Sequence, residues 1–258
     1  MARSVAADPA APRPIYILGQ IVHNRHTVEE LEGLGVKTLD GASRLDLLSG
    51  IDHGTVIFTA HGVSAAVRDE AKRRGLRVVD ATCPDVTRTH DLIRDLASRD
   101  YRIIYVGKKG HPEPEGAMGV APDRVVLVEK QADVAGLDLH WPRLAVVTQT
   151  TLSKWDTQAI IEAIVQRYPK AEVFNEICLA TQQRQEAVAT LGKDADLVLV
   201  VGDERSNNSN RLVQVAQEVA GRPAYLVGTV RDIDPAWLNG RRKVAVTSGT
   251  STPTAITR

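Results

Sequence analysis

The two cysteines are the residues of this chain best suited to metal chemistry. Cys83 follows a predicted strand and precedes a predicted helix, and Cys178 stands at a second junction of the same kind. The free N–H groups at a helix N-terminus stabilise a thiolate, and soft sulfur ligands suit a metal ion or an iron–sulfur centre. Because the two cysteines are 95 residues apart, we expect such a centre to be held between domains. The alternative is that each is a small buried apolar residue.

Spacing excludes several common sites. The chain has no Cys-x-x-Cys pair, which excludes a thioredoxin motif and an ordinary zinc knuckle. Cys83 and Arg88 are separated by four residues, one too few for the loop of a cysteine-based phosphatase. Neither G-x-x-x-x-G-K-[ST] nor G-x-G-x-x-G occurs, so the commonest nucleotide-binding loops are absent from the sequence.

Imidazole, hydroxyl and amide side chains follow several predicted strands. His61 and His111 stand just after two of them, and the run Ser206-Asn207-Asn208-Ser209-Asn210 follows a third. Ligands of open α/β sheets bind beyond the carboxyl ends of the strands, and helix N-termini with neutral donors bind anions. We therefore predict a small phosphorylated ligand rather than a polymer. Each cluster taken alone also fits ordinary turns and helix caps. The other histidines are interpreted as surface or satisfied core residues: His26, His53, His90 and His140.

Strands and helices alternate along the whole chain. Short, nearly unbroken apolar runs predict strands at residues 15–18, 55–59, 77–80, 102–106, 125–128, 144–148, 197–201, 223–227 and 243–247. Amphipathic spacing predicts helices at 27–34, 64–74, 85–98, 153–168, 182–191 and 208–219. This alternation predicts an α/β fold with open parallel sheets and right-handed crossovers.

Composition narrows the class of protein. In the 258 residues, 32 Lys and Arg balance 32 Asp and Glu, so the basic excess typical of nucleic-acid binding is missing. No apolar run approaches the roughly 18 residues that span a bilayer, and residues 1–14 lack the apolar middle of a secretory signal. We predict a cytoplasmic enzyme or binding protein that engages neither nucleic acid nor a membrane.

Eight short motifs together resemble one enzyme family. They are Val22-His23-Asn24, Thr59-Ala60-His61-Gly62-Val63, Asp80-Ala81-Thr82-Cys83-Pro84, Gly110-His111-Pro112-Glu113, Thr148-Gln149-Thr150-Thr151, Ile177-Cys178-Leu179-Ala180-Thr181, Asn207-Asn208-Ser209-Asn210-Arg211-Leu212 and Ser248-Gly249-Thr250-Ser251-Thr252-Pro253. In this order they closely resemble the 4-hydroxy-3-methylbut-2-enyl diphosphate reductases, the last enzymes of the non-mevalonate isoprenoid pathway. The resemblance covers nearly the whole chain.

The resemblance implies a fold, a cofactor and a reaction. It implies three small parallel-sheet α/β lobes, here residues 1–82, 83–177 and 178–258, in a trefoil around a central 4Fe-4S cluster. Three cysteines, one per lobe, hold the cluster in that family, and Cys83 and Cys178 match the second and third. The implied reaction reductively removes the hydroxyl group of 4-hydroxy-3-methylbut-2-enyl diphosphate, giving isopentenyl and dimethylallyl diphosphate. Electrons arrive singly, which implies ferredoxin or flavodoxin as the donor.

The resemblance also assigns site residues. Glu113 matches the acid of the proton relay, and Thr150 matches the hydroxyl group that supports it beside the substrate alcohol. His111, which matches one of the imidazoles around the substrate and its diphosphate, is the third residue assigned to catalysis. The positions that match substrate-binding residues are His23, His61, His111, Thr150, Ser206, Asn207, Asn208 and Ser251.

The chain departs from the family pattern at its ends. The first cluster ligand of the family lies in a Gly-Phe-Cys-x-x-Gly-type motif ahead of residues 15–18, and residues 1–14 contain no cysteine. The chain also ends soon after Ser251. We interpret it as lacking the amino-terminal segment with the first cluster cysteine and the carboxyl-terminal end, so that one of the three cysteine ligands is absent from this chain. Two alternatives remain: a truncated member that binds diphosphate metabolites without turnover, and a metal-free protein that binds phosphorylated metabolites.

Overall fold

The computed structural model describes residues 1–41, 43–138 and 140–257. Its strands are β1 (Ile15–Leu18), β2 (Val36–Leu39), β3 (Thr55–Phe58), β4 (Arg77–Asp80), β5 (Arg102–Val106), β6 (Val125–Val128), β7 (Leu144–Thr148), β8 (Glu172–Phe174), β9 (Leu197–Val201), β10 (Ala224–Val227) and β11 (Val244–Ser248). Its α-helices are α1 (Ala2–Ala7), α2 (Arg25–Gly33), α3 (Arg44–Ser49), α4 (Ala65–Arg73), α5 (Pro84–Ser98), α6 (Pro112–Met118), α7 (Gln131–Ala135), α8 (Lys154–Arg167), α9 (Leu179–Leu191) and α10 (Asn207–Glu218). Short 3-10 helices cover Gly192–Asp194, Val230–Asp232, Pro235–Leu238 and Thr254–Ile256.

The chain divides into two compact units. Unit 1 comprises Met1–Val22, Thr27–Thr150 and Trp155–Glu176, and unit 2 comprises His23–His26, Thr151–Lys154 and Ile177–Arg258. Unit 2 therefore takes two short segments from earlier in the chain in addition to the carboxyl-terminal part.

Unit 1 contains two four-stranded parallel sheets. The strand orders are β2-β1-β3-β4 and β6-β5-β7-β8. In the first sheet every residue of β3 is buried, and in the second every residue of β7. Apolar runs of this kind are expected where helices cover both faces of a parallel sheet. The edge strands β4 and β8 are mostly exposed, so the core lies along the central strands.

Unit 2 contains one three-stranded parallel sheet in the order β10-β9-β11. The central strand β9 is buried along its whole length, whereas the edge strand β11 is largely exposed on one face. The helix α10 buries Leu212, Val215 and Ala216 on one side, a spacing of three and four residues that makes one apolar stripe. This stripe fixes the helix on the unit and so fixes the position of its first turn.

The predicted fold class, small parallel-sheet α/β units, is confirmed. All nine predicted strands are present within one residue of their expected bounds, and all six predicted helices are present within three. Each sheet falls inside one of the ranges 1–82, 83–177 and 178–258, although where one lobe ends and the next begins stays a prediction. Among the described residues, no helix is both long and apolar enough to cross a bilayer.

His90 makes the stability of the fold depend on pH. It lies in the middle of α5, is 5% exposed, and has a pKa lowered to about 4 by burial and by the charges of Arg68 and Arg94, which Asp91 and Asp80 partly offset. The unfolded chain therefore takes up this proton near pH 6.5, before the folded chain does, and acid favours unfolding. Urea unfolding of the wild type should lose on the order of 2 kcal/mol more than His90→Gln between pH 7 and pH 4.5. Parallel pH curves for the two proteins would contradict this.

Candidate active site

Three predicted site residues of unit 1 follow the carboxyl ends of strands, one strand in the first sheet and two adjacent strands in the second. His61 comes after β3, His111 after β5 and Thr150 after β7. The rings of His61 and His111 meet edge to face, with centroids 5.2 Å apart. The structure thus brings together two imidazoles that are 50 positions apart in the sequence.

His111 is held at the start of α6 by its own ring. It occupies the N-cap position, with Pro112 as the first helical residue, a favoured place for proline because a first-turn N–H lacks a partner in any case. The backbone N–H of Glu113 donates to His111 Nδ1 at 3.2 Å. Because an N–H can only donate, Nδ1 is unprotonated, and the proton of the neutral ring lies on Nε2. His111 therefore carries its N–H donor on Nε2, whereas Nδ1 accepts.

Gln149 links the loops after β5 and β7, and sequence reasoning did not single it out. Its Oε1 accepts a hydrogen bond from the backbone N–H of Lys108 at 2.9 Å, which orients the amide so that Nε2 faces His111 Nδ1 at 3.2 Å. Its side chain is fully buried. Buried amides are almost always hydrogen-bonded. A glutamine directly after a buried strand was therefore the sequence signal that could have indicated an orienting role for Gln149.

Glu113 is a buried carboxyl group in the first turn of α6. It is 1% exposed, and its Oε1 accepts a hydrogen bond from the backbone N–H of Thr150 at 2.7 Å. Thr150 is itself buried. This bond joins α6 to the loop after β7, so the predicted acid and the predicted catalytic threonine are in direct contact.

Cys83 is the N-cap residue of α5 in unit 1. Its backbone N–H donates to the carbonyl oxygen of Ala60, next to His61, at 2.9 Å. The half-buried thiol makes no hydrogen bond that caps the helix. Pro84 begins the helix, one residue before the start predicted from the sequence.

Ser206 caps α10 in unit 2 and shapes its first turn. Its Oγ accepts a hydrogen bond from the backbone N–H of Ser209 at 3.2 Å, which leaves the Ser206 hydroxyl proton available to donate. Ser209 packs between two glycines: a Cβ on Gly202 or Gly249 would lie 2.3 or 2.1 Å from its Oγ. The ends of β9 and β11 therefore approach the first turn of α10 only because both positions are glycine.

Asn208 is the predicted ligand-binding residue with the clearest structural signature. It is 2% exposed, and neither Oδ1 nor Nδ2 has a hydrogen-bond partner among the described residues. A buried amide left without partners costs free energy that folding alone does not justify. Such a group calls for a partner outside the described residues, either an ordered water or a polar ligand.

The other predicted residues of unit 2 lie around this turn. His23 Nδ1 lies 2.7 Å from the carbonyl oxygen of Arg205, which can only accept, so Nδ1 carries a proton. Ser251 Oγ donates to the carbonyl oxygen of His23 at 3.0 Å. Asn207 Nδ2 donates to the carbonyl oxygen of Thr151 at 3.3 Å. His23 and Ser251 are thus tied to each other, and His23 to the residue before the α10 cap.

Cys178 is the N-cap residue of α9 in unit 2. Its half-buried thiol does not cap the helix, and Sγ lies 3.0 Å from Oγ1 of the buried Thr181. Both cysteines of the chain thus lie at helix N-termini and form no disulfide bond, and their donor type fits an iron–sulfur group. That the two sulfurs serve one centre stays a prediction.

These features define a class of protein. Strands ending in imidazole, amide and hydroxyl groups, together with a buried carboxyl group and two thiols at helix caps, are typical of an α/β enzyme that binds a small anion. Residues 1–258 match the family described as LytB protein. The chain belongs to this family.

Relatives and solved structures agree with this assignment. A protein of Symbiobacterium thermophilum named 4-hydroxy-3-methylbut-2-enyl diphosphate reductase is 68% identical over 259 residues, which cover all of this chain and 88% of the relative. A protein of the same name from Anoxybacillus flavithermus is 57% identical, covering all of this chain and 82% of the relative. The solved structure of the E-1-hydroxy-2-methyl-but-2-enyl-4-diphosphate reductase from Plasmodium falciparum matches 99% of this chain and 79% of its own, with 34% identity and a TM-score of 0.91. The predicted family is therefore confirmed.

Proposed function

We propose that the chain is a reductase that converts 4-hydroxy-3-methylbut-2-enyl diphosphate to isopentenyl and dimethylallyl diphosphate. The observation that carries the proposal is the match of the whole chain to the LytB family, supported by relatives of the same name at 68% and 57% identity. The alternative, binding of diphosphate metabolites without turnover, has no comparable support. We place the enzyme in the cytoplasm, with ferredoxin or flavodoxin as its electron donor.

The diphosphate is the part of the substrate that unit 2 is built to bind. Asn208 supplies a buried amide without a protein partner among the described residues, and Ser206 retains a hydroxyl proton because its oxygen already accepts from Ser209. Asn207 is a further donor, because Nδ2 carries a second proton besides the one it donates to the carbonyl oxygen of Thr151. Ser251 would bind the diphosphate by turning its hydroxyl proton away from the carbonyl oxygen of His23. Neutral N–H and O–H donors make charge-assisted hydrogen bonds to an anionic oxygen. The diphosphate can therefore be bound by these groups without lysine side chains.

Proton delivery is the role proposed for Glu113. Loss of a hydroxyl group as water requires a proton donor close to the departing oxygen. Burial and the bond from the Thr150 N–H hold Glu113 in one orientation. We assign Thr150 to support the acid beside the substrate alcohol. His111, with its proton on Nε2, and His61 against it bind the substrate.

Cys83 and Cys178 are the residues that would hold an iron–sulfur cluster. When bound, a 4Fe-4S cluster supplies electrons one at a time and Lewis acidity for the loss of the hydroxyl group. The sequence contains two cysteines, so this chain supplies at most two thiolate ligands. The proposal for these residues rests on their helix-cap positions and donor type.

The experiment that tests the proposal is anaerobic reconstitution of the full chain with iron and sulfide. Iron and sulfide are counted, and the product is measured with a reduced one-electron donor and 4-hydroxy-3-methylbut-2-enyl diphosphate. Formation of isopentenyl and dimethylallyl diphosphate supports the reductase. Binding of the substrate without product contradicts turnover by this chain. If the preparation has taken up iron, this result supports a truncated member that binds diphosphate metabolites; if it has not, it supports a metal-free binding protein.

Asn208→Leu should raise stability and weaken diphosphate binding. Leucine is close to asparagine in shape and removes two buried polar atoms that lack partners among the described residues, so the free energy of unfolding should rise by on the order of 1 kcal/mol. Affinity for inorganic diphosphate, measured by calorimetry, should fall roughly 10- to 100-fold.

Asn210→Leu is the matched control on the same turn. Asn210 Nδ2 donates to the carbonyl oxygens of Glu204 and Ser206 at 2.6 and 2.9 Å, so its loss should lower stability while leaving diphosphate affinity nearly unchanged. Equal loss of affinity in both variants would contradict the role assigned to Asn208.

A further inference from the structure

His90 is a buried imidazole that the proposed chemistry does not use. Sequence reasoning left it among the structural histidines. It is 5% exposed, and its Nε2 has no hydrogen-bond partner within residues 1–41, 43–138 and 140–257. A polar group in this state costs stability, which a purely apolar side chain at the same place would avoid.

One edge of this imidazole touches the turn that carries His61. Gly62 follows His61 with φ +76°, and a Cβ on it would lie 2.9 Å from His90 Cε1. Only glycine combines this left-handed backbone with so close an approach. The backbone beside His61 therefore rests directly on the ring of His90.

The same edge touches the helix that carries Glu113. A Cβ on Gly116, three residues after Glu113 in α6, would lie 3.3 Å from both Cε1 and Nε2 of His90. It would also lie 3.4 Å from the carbonyl carbon of Gly62. The turn and the helix thus touch each other where both meet the imidazole.

A second close contact keeps the helix and the loop after β3 together. A Cβ on Gly119, the C-cap residue of α6, would lie 2.2 Å from Cβ of Ser64, the N-cap residue of α4. The contacts at Gly116 and Gly119 are one helical turn apart, so α6 lies along the loop. At Gly116 the nearest atoms belong to the His90 imidazole, whereas at Gly119 they belong to Ser64.

We propose that His90 is a positioning residue whose imidazole sets the separation between the His61 turn and the α6 helix, and so the placement of His61 relative to His111 and Glu113. Its effect on catalysis rests on the function proposed above, whereas its effect on geometry does not. If the His90 ring only filled the core, its removal would not specifically change the arrangement of the His61 and His111 rings.

The first test compares ring signals of His61 and His111 by NMR in the full chain labelled in histidine, without substrate or cluster. The two rings meet at 5.2 Å edge to face, so a change in their separation alters the ring-proton shifts. His90→Ala should move both sets of signals, and His90→Gln, which keeps a polar atom near the place of Nε2, should restore them in part. The control is Leu96→Ala, which opens a cavity in the same helix at a residue packed in the core of the second sheet.

In the same variants, kcat/KM should fall roughly 10- to 100-fold for His90→Ala and much less for Leu96→Ala at equal loss of thermal stability. Equal signal changes in His90→Ala and Leu96→Ala overturn the proposal, as do unchanged His61 and His111 signals in His90→Ala. Because the NMR readout needs no turnover, the geometry can be tested even in a chain that has no reductase activity.

Gly116→Ala provides a second test that does not depend on His90→Ala folding. Its methyl group should push α6 from the imidazole and move the His61 signals, although His61 lies on the other segment. In the double variant with His90→Ala the methyl group no longer meets the imidazole and keeps only its 3.4 Å contact with the Gly62 carbonyl carbon, so the two effects on kcat/KM should be less than additive. Unmoved His61 signals in Gly116→Ala, or full additivity, overturn the proposal.

Discussion

Glu113→Gln is expected to abolish turnover while leaving substrate binding intact. The glutamine Oε1 can still accept the hydrogen bond from the Thr150 N–H, which the carboxylate accepts at 2.7 Å, so the contact between α6 and the loop after β7 persists. What disappears is the acidic proton. General acid catalysis contributes roughly 10²- to 10⁴-fold to a rate, so kcat should fall by at least that lower factor while KM changes little.

The matched control is Glu115→Gln, two residues further along the same helix. Glu115 is partly exposed and pairs with Arg44, and its amide can still accept from the guanidinium, so kcat should change only slightly. Single-turnover product formation and substrate affinity, measured together, separate the two variants. If Glu113→Gln lost binding and turnover in equal proportion, the residue would be a binding group and its assignment as the acid would be wrong.

The central strands could be predicted because their burial is visible in their own short sequences. A parallel strand covered on both faces is expected to be a nearly unbroken apolar run, and β3, β5, β7 and β9 are such runs, with a polar residue at one end of the first three. The strand β2 was missed because Lys37 and Thr38 interrupt its interior, and β8 because it has only three residues and begins with Glu172.

The start of α2 was predicted wrongly because its first turn is held by a residue from elsewhere in the chain. The sequence predicts this helix from residue 27, yet α2 begins at Arg25. The backbone N–H of Arg25 donates instead to the carboxylate of Asp203 at 2.8 Å. Because this partner is 178 residues away, no local sequence pattern indicates it, and the start of α2 could not be predicted from the sequence.

In the candidate site, too, the features set by local sequence were predicted and those set by distant contacts were not. The positions of His61, His111 and Cys83 at strand or helix ends follow from local signals, and the structure places all of them there. The orienting role of Gln149 and the contacts of His90 with two glycines depend on which loops meet. Sequence patterns give the side chains that end a strand, but not the neighbours that fix their orientation.

Cys178→Ser is expected to remove iron from the reconstituted chain while leaving the apo fold at least as stable. Serine is a preferred N-cap residue, so the start of α9 should be capped as well as or better than by the thiol, which makes no capping bond. A serine hydroxyl stays protonated near neutral pH and is a hard oxygen ligand, whereas iron in such clusters takes thiolates. Iron content and the charge-transfer absorption of the cluster should therefore fall close to the background of unreconstituted protein.

Thr181→Val is the control that separates ligation from local packing. Thr181 is buried with Oγ1 3.0 Å from the Cys178 sulfur, and valine keeps its shape while removing the hydroxyl group. This variant should retain most of the iron, because the thiolate itself remains. Thermal melts of the apo proteins provide the second readout: Cys178→Ser should melt no lower than the wild type. Equal iron in Cys178→Ser and the wild type would show that this sulfur is not a ligand, whereas loss of iron together with an unchanged apo melt leaves ligation as the role of Cys178.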